Sequence, residues 1–400
     1  MSQEIVTETL QRFVVENAGR SPSEIVLMKN LPDGVCPKFA AQQIKARQRM
    51  GKKLPSWLAE PRVAFPPSLS LEQCSSEIAA RYKASIVQAG KTACDLTGGF
   101  GVDARFLAER FERLDYFERD AELAELVRWN ASVFGLESTL QVCPESGLER
   151  FRDPSVRYDL TYLDPARRDQ RSLKVSALED CEPNVLEYWS DLLARSGRVM
   201  IKASPGLDIS RALEQLPSVC EVHVVAVQND CKELLLIGEE GFSGDARIHC
   251  VNIGPSLEEI DTLSFTLAEE GALEGKFDRP ERYLYEPNAA IMKAGAFKTL
   301  SERIGLAALN PRTRLYGSYE LFRGFPGRVF EIIGRGSLEP KSAKALFPKR
   351  KANVISRNSG MSAEEMRKKL KLKDGGELFA IGAAVTGVGR ELFACRLVDE

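Results

Sequence analysis

From about Lys91 the sequence falls into short apolar runs separated by amphipathic segments, a rhythm that a sheet with crossover helices buries. Five runs read as strands: Thr92–Leu96, Leu114–Phe117, Leu140–Val142, Leu160–Leu163 and Arg198–Ile201. Helical stretches lie between them, among them Asp103–Phe111, Ala121–Phe134 and Pro183–Ala194. Val222–Val227, Leu234–Ile237 and Ile248–Ile253 follow on shorter connections and read as an antiparallel end to the sheet.

The flanks differ from this centre. Residues 1–85 carry apolar positions at helical spacing, and Ser70-Leu71-Glu72-Gln73 reads as the cap of a helix through Ile78, Tyr82 and Ile86. Beyond Gly275 the pattern is a small α+β region. Its strands are predicted at Arg282–Tyr285, Arg328–Ile333 and Ala352–Ser356, with a hairpin over Leu378–Ala384 and Glu391–Leu397. Helices are expected at Ala289–Ile304, Pro340–Phe347 and Ala363–Leu370. Four hundred residues suit three such regions, 1–85, 86–275 and 276–400.

Composition excludes several classes. Hydrophobic residues at 44% and charged residues at 28% are those of a globular chain, so a disordered protein is excluded. No apolar run is long enough to span a bilayer, and the start, MSQEIVTETL, lacks the pattern of a signal peptide. A cytoplasmic protein with no membrane partner is expected. Nine scattered cysteines, none in a Cys-x-x-Cys pair, read as reduced thiols. Cys220, His223, Cys231, His249 and Cys250 cluster in sequence, but as strand residues with core-facing thiols they lead to the expectation of no metal.

The richest stretch is Cys94-Asp95-Leu96-Thr97-Gly98-Gly99-Phe100-Gly101-Val102-Asp103, a strand ending in an acid and followed by a glycine turn into a helix. Such a turn lets a ligand approach bare backbone at the carboxyl edge of a parallel sheet. The spacing departs from G-x-G-x-x-G, and Asp95 would repel a pyrophosphate. A cationic ligand fits better. The next strand ends at Glu118, where a carboxylate can accept both hydroxyls of a ribose. The third ends in Cys143-Pro144-Glu145-Ser146, placing Glu145 to meet the amino edge of an adenine. Three acids at three successive strand ends define a nucleoside-binding edge.

In the order and spacing of Asp95–Gly101, Glu118, Glu145 and Asp164-Pro165-Ala166-Arg167, residues 86–255 resemble the class I S-adenosylmethionine-dependent methyltransferases. The resemblance implies an α/β fold, with a Rossmann-like, seven-stranded, doubly wound sheet between the helical N-terminal region and the α+β tail. It implies that Asp95, Thr97, Gly98, Gly99, Phe100 and Gly101 hold the methionine part of S-adenosylmethionine, Glu118 the ribose, and Glu145 with Ser146 the adenine. The whole chain looks like bacterial methyltransferases with a ferredoxin-like and THUMP-like C-terminal region, and THUMP modules are associated with RNA modification.

Asp164-Pro165-Ala166-Arg167 ends the fourth strand. In relatives acting on exocyclic base amines, an Asp/Asn-Pro-Pro-aromatic turn stands here and aligns the amine with the methyl group. Asp164 and Pro165 are kept, and Arg167 or Arg168 is left to stack on a base, bind a phosphate or pair with local acids. Lys202, at the end of the fifth strand, raises the alternative of ribose 2′-O-methylation, with Lys83 as a further member of such a set. Small-molecule or protein methylation and a non-catalytic RNA-binding module also remain open. No cysteine stands at either turn, against C5-methylation through a covalent adduct.

Charge is divided along the chain. Residues 1–275 hold 31 Lys+Arg against 43 Asp+Glu, whereas 276–400 hold 24 against 14. The excess concentrates in residues 341–373, and RNA is the partner expected for this basic tail.

Overall fold

The computed structural model describes residues 7–151, 153, 155–167 and 177–398. They form two compact units, one holding the chain up to Cys220 together with Leu234–Gly244, the other Glu221–Glu233 and Asp245 to the C-terminus.

The first unit opens with helices, as its 3.6-residue periodicity dictates. Three of them, Pro22–Leu27, Pro37–Met50 and Pro55–Ala59, begin on a proline, whose missing N–H costs nothing in a first turn. Ile44 and Trp57 on these helices are buried with Phe13 of the helix Glu8–Glu16 and Phe65 of the segment after them in a core shared with the sheet. The helix leading into the sheet runs Glu77–Ile86, and its cap is Ser76, which accepts from the Ala79 N–H. The predicted cap at Ser70 instead falls inside a separate short helix, Ser68–Gln73, which the extended backbone of Cys74 ends.

The sheet of this unit contains β1 (Gly90–Asp95), β2 (Phe111–Phe117), β3 (Leu140–Cys143), β4 (Tyr158–Leu163) and β5 (Ser196–Ala203), all parallel, in the order β3-β2-β1-β4-β5. Chain order reverses between β1 and β4, the place where open α/β sheets form a ligand crevice beyond their carboxyl ends. The helix after β1 is shorter than its pattern predicts. It covers Val102–Leu107 and tightens into one turn at Ala108–Arg110, because Phe111 already pairs with Gly90 as the first residue of β2.

The chain then makes β6 (Val219–Val227) and β7 (Asp230–Gly238), and the division between units falls within both. Leu234–Gly238 runs antiparallel to β5. In the second unit β8 (Arg247–Ile253) pairs with β6 in parallel, from Arg247 opposite Glu221 to Ile253 opposite Val227. This corrects the antiparallel expectation for Ile248–Ile253. The chain reverses into β7 and returns before entering β8, so β8 points the same way as β6. A strand unseen in the pattern, β9 (Ile260–Phe265), completes this edge antiparallel to β8. Its alternation is broken by Asp261 and Thr262.

The C-terminal region is a seven-stranded sheet. Its strands are β10 (Tyr283–Pro287), β11 (Ala307–Ala308), β12 (Tyr316–Ser318), β13 (Gly327–Gly336), β14 (Asn353–Arg357), β15 (Leu378–Val385) and β16 (Gly389–Leu397). The order is β11-β12-β10-β13-β16-β15-β14, with only β14 and β15 parallel. The single helix expected over Ala289–Ile304 is two, Ala289–Ala294 and Phe297–Ile304. Gly295, at φ +80°, closes the first in the left-handed conformation that glycine tolerates. No helix among the described residues is long and apolar enough to cross a membrane.

Candidate functional site

The carboxyl ends of β1, β2 and β4 open on a cleft of about 510 Å³. Thr97 and Leu96 line it from the turn after β1, Phe117, Glu118 and Arg119 from the end of β2, and Ser146 and Leu148 from the segment after β3. Asp164 and Ala166 come from the turn after β4, and Glu182 to Asn184, Glu187 and Tyr188 from the start of the next helix.

The glycine turn is shaped by its neighbours. At Gly98, φ +54°, a Cβ would sit 2.5 Å from the Phe117 carbonyl oxygen and 2.6 Å from the Glu118 carboxylate, so only glycine fits. The Gly99 N–H donates to Glu118 at 2.6 Å, and the Tyr116 hydroxyl donates to the Gly99 carbonyl at 2.6 Å. Gly101, at φ +78°, precedes the helix Val102–Leu107. Phe100 turns away, its ring 4.6 Å from that of Trp57 and 5.8 Å from that of Phe65. It anchors the turn to the helical layer and leaves only backbone to a ligand.

Asp95 lies behind this surface, 2% exposed, where its carboxylate accepts from the Thr97 N–H (3.0 Å), the Thr97 hydroxyl (3.1 Å) and the Gly98 N–H (3.2 Å). Burial pushes its pKa up to about 8, against the hydrogen bonds from Thr97, and the carboxylates of Asp103 and Asp164 add to the rise. Glu118 accepts from Gly99 with one oxygen and from the Asp120 N–H (2.7 Å) with the other. A carboxylate has about four acceptor sites, so lone pairs remain for a diol.

A second set of charges stands behind β4. Lys202, at the end of β5, pairs with Asp164. Lys83, fully buried, pairs with Asp103 at 3.2 Å, and Asp103 also accepts from the hydroxyls of Ser75 (2.7 Å) and Tyr162 (2.9 Å). Burial alone would raise the Asp103 pKa, but Lys83 and Lys202 and these two hydroxyls outweigh it and hold the pKa below the usual carboxylate value.

Of the residues singled out in the sequence, Thr97, Glu118, Ser146 and Asp164 line one cleft. Asp95, Gly98 and Gly99 support that wall through the bonds above, and Pro165 follows Asp164 directly. Glu145 is exposed and does not line the cleft, although its neighbour Ser146 does. The backbone of Arg167 pairs with Cys181 in a two-residue ladder, while its side chain and all of Arg168 lie outside the described residues. Arg119, Asn184, Glu187 and Tyr188 were not singled out. For the last three the signal was the cap: the Asn184 side chain accepts from the Leu186 N–H, which sets Glu187 and Tyr188 in the first turn of the helix Val185–Ala194 at the cleft.

Residues 283–326 match a ferredoxin-like domain family and residues 327–396 a THUMP domain-like family. A candidate methyltransferase from Porphyromonas gingivalis W83, known from a crystal structure, is 31% identical, with a TM-score of 0.86 over 98% of each chain. Uncharacterised S-adenosylmethionine-dependent methyltransferases from two strains of Mycobacterium tuberculosis are 24% identical over 309 residues, 76% of this chain and 80% of theirs.

Proposed function

The chain belongs to the S-adenosylmethionine-dependent methyltransferase family of its Porphyromonas gingivalis relative, and we propose that it methylates a base amine in RNA, with residues 86–275 carrying the chemistry and 276–400 the grip. The observation that carries this reading is the cleft shared by Thr97, Glu118, Ser146 and Asp164.

The residues present suit the cofactor. The Gly98 site would be filled by any Cβ, the cleft is of a size usual for small-ligand sites, and the Asp95, Glu118 and Asp164 carboxylates suit a cation. Thr97 to Gly101 would hold its methionine part, Glu118 its ribose and Ser146 its adenine end. Bound there, it supplies an already activated methyl group, so the chain need only align an acceptor. Asp164 would accept a hydrogen bond from the amine, and Pro165 would fix the turn that presents it. Glu182 and Tyr188, across the cleft, would border the incoming base.

The tail supports the choice of RNA. The Lys373 N–H donates to the Arg350 carbonyl and the Ala352 N–H to the Lys373 carbonyl, while Lys351 and Lys373 pair in a single bridge. Exposed Lys349, Lys351, Lys371 and Lys373 therefore gather at one corner, where like charges repel until a polyanion neutralises them. A second reading, ribose 2′-O-methylation, is favoured by the Lys202–Asp164 pair, since the ammonium can donate to a ribose hydroxyl oxygen while the carboxylate accepts its proton. Purified protein given tritiated cofactor and cellular RNA, followed by nucleoside digestion, separates the two. Label on a base supports the amine reading, label on the ribose the second, and label in protein alone overturns both.

A further inference from the structure

The 400 residues include only two histidines, and they lie side by side. His223 on β6 is directly opposite His249 on β8 in the parallel register, and the rings stack with centroids 4.5 Å apart and planes 21° from parallel. Glu221, two residues before His223, is on the same face of β6. Its carboxylate lies 3.1 Å from Nε2 of His223. Ser264 pairs with His249 from β9 and places its hydroxyl 2.9 Å from Nδ1 of that ring. Ligating atoms of Glu221, His223 and His249 all lie within 4.8 Å of one another.

We propose that Glu221, His223 and His249 form a divalent transition-metal site of the zinc class. The 3.1 Å separation of His223 Nε2 and Glu221 is close to the ligand–ligand edge of about 3.3 Å expected around a tetrahedral ion with bonds of about 2.0 Å. An ion can therefore replace the proton shared by that pair. The Ser264 hydroxyl fixes Nδ1 of His249 and leaves Nε2 as its ligand, the outer bond that metal-binding imidazoles use. His223 is buried, whereas Glu221 and His249 are half-buried, so the ion enters from their side, with the His249 ring tilting out of the stack to meet it. Two imidazoles and one carboxylate select zinc, cobalt or nickel over magnesium and calcium. Three protein ligands leave a position for water. Such an ion would clamp β6 to β8.

The test is cobalt titration of the full chain after chelator treatment, read by visible absorption and by calorimetry with zinc. One equivalent is expected, not displaced by excess magnesium. Glu221→Gln and His249→Asn should each abolish it, and these two partly exposed positions avoid the folding risk of changing His223. Ser264→Ala should weaken binding about tenfold while leaving the stoichiometry at one. Cys231→Ser should change nothing. No saturable binding, binding indifferent to both ligand variants, or a thiolate-to-cobalt band lost in Cys231→Ser would overturn the proposal.

Discussion

The Thr97 hydroxyl accepts a hydrogen bond from the Asp164 backbone N–H at 2.7 Å. Because the same hydroxyl donates to Asp95 at 3.1 Å, the turn after β1 and the turn after β4 are joined by one side chain. The wall that would hold the methyl donor and the residue that would meet the acceptor are positioned together. Thr97→Val keeps the shape and removes the link. Losing an acceptor for a partly buried N–H costs about 1–3 kcal/mol, and a small displacement of Asp164 costs far more in rate than in binding. Single-turnover transfer should fall about a hundredfold, cofactor affinity should fall by much less because the backbone of the turn remains, and Thr97→Ser should restore most of the rate.

Asp95 makes folding and pH interdependent. Its pKa, about 8 in the folded protein, lies above the unfolded value of about 3.9. Between those values the folded state holds a proton that the unfolded chain has lost, so this group lowers stability as pH rises from about 4 to about 8, after which the loss is complete. Asp95→Asn keeps an acceptor for Thr97 and has no such proton. Denaturant unfolding at pH 5, 7 and 9 should show the variant gaining on the wild type with rising pH, by a few kcal/mol at most. A constant difference across that range would contradict it.

Binding of a cation beside Asp95 should favour its ionised form. Cofactor binding at pH 7 should therefore release a fraction of a proton, visible as a dependence of the calorimetric heat on the ionisation enthalpy of the buffer. In Asp95→Asn that dependence should disappear even if some affinity remains.

The buried pair Lys83–Asp103 is a different kind of commitment. Lys83→Met takes the paired ammonium from buried Asp103 and leaves Ser75, Tyr162 and Lys202 to stabilise it, and removing one member of a buried pair costs about 3–5 kcal/mol. Adding Asp103→Asn should recover part of that loss. Equal unfolding free energies for the wild type and Lys83→Met would show the pair to be energetically silent.

What could be read in advance follows from distance along the chain. The acids Asp95, Glu118 and Asp164 were legible because each stands at or directly after the end of its own apolar run. Pairing direction was not, since it depends on where the chain goes between runs: Ile248–Ile253 lies parallel to β6 because β7 intervenes. Local competition hid other features. Ser70 and Ser76 both resemble caps, and the extended Cys74 decides for Ser76. Gly295 stops a helix whose apolar pattern runs on to Ile304. Lys83 and Asp103 are 20 positions apart, and their pairing needs the helix Glu77–Ile86 to lie against the one after β1. The Glu221, His223 and His249 group emerged only with the register of β6 and β8, which two-residue periodicity cannot supply by itself.

The basic corner and the cleft should separate in function. Lys349, Arg350 and Lys351 lead into β14, the edge strand of the C-terminal sheet, whereas the residues assigned to the cofactor all belong to the first unit. Phosphate contacts position a nucleic acid without reading it and release counterions, so each one adds to the slope of affinity against salt. Changing all three to Glu should weaken RNA binding and flatten that slope while leaving cofactor affinity intact. Asp164→Ala should do the reverse, abolishing transfer while RNA remains bound. Filter binding over a range of salt, paired with single-turnover transfer, reads both. Unchanged RNA affinity at physiological salt after the triple reversal would remove RNA as the partner of this tail, and the methyl acceptor would then be sought among proteins and small molecules.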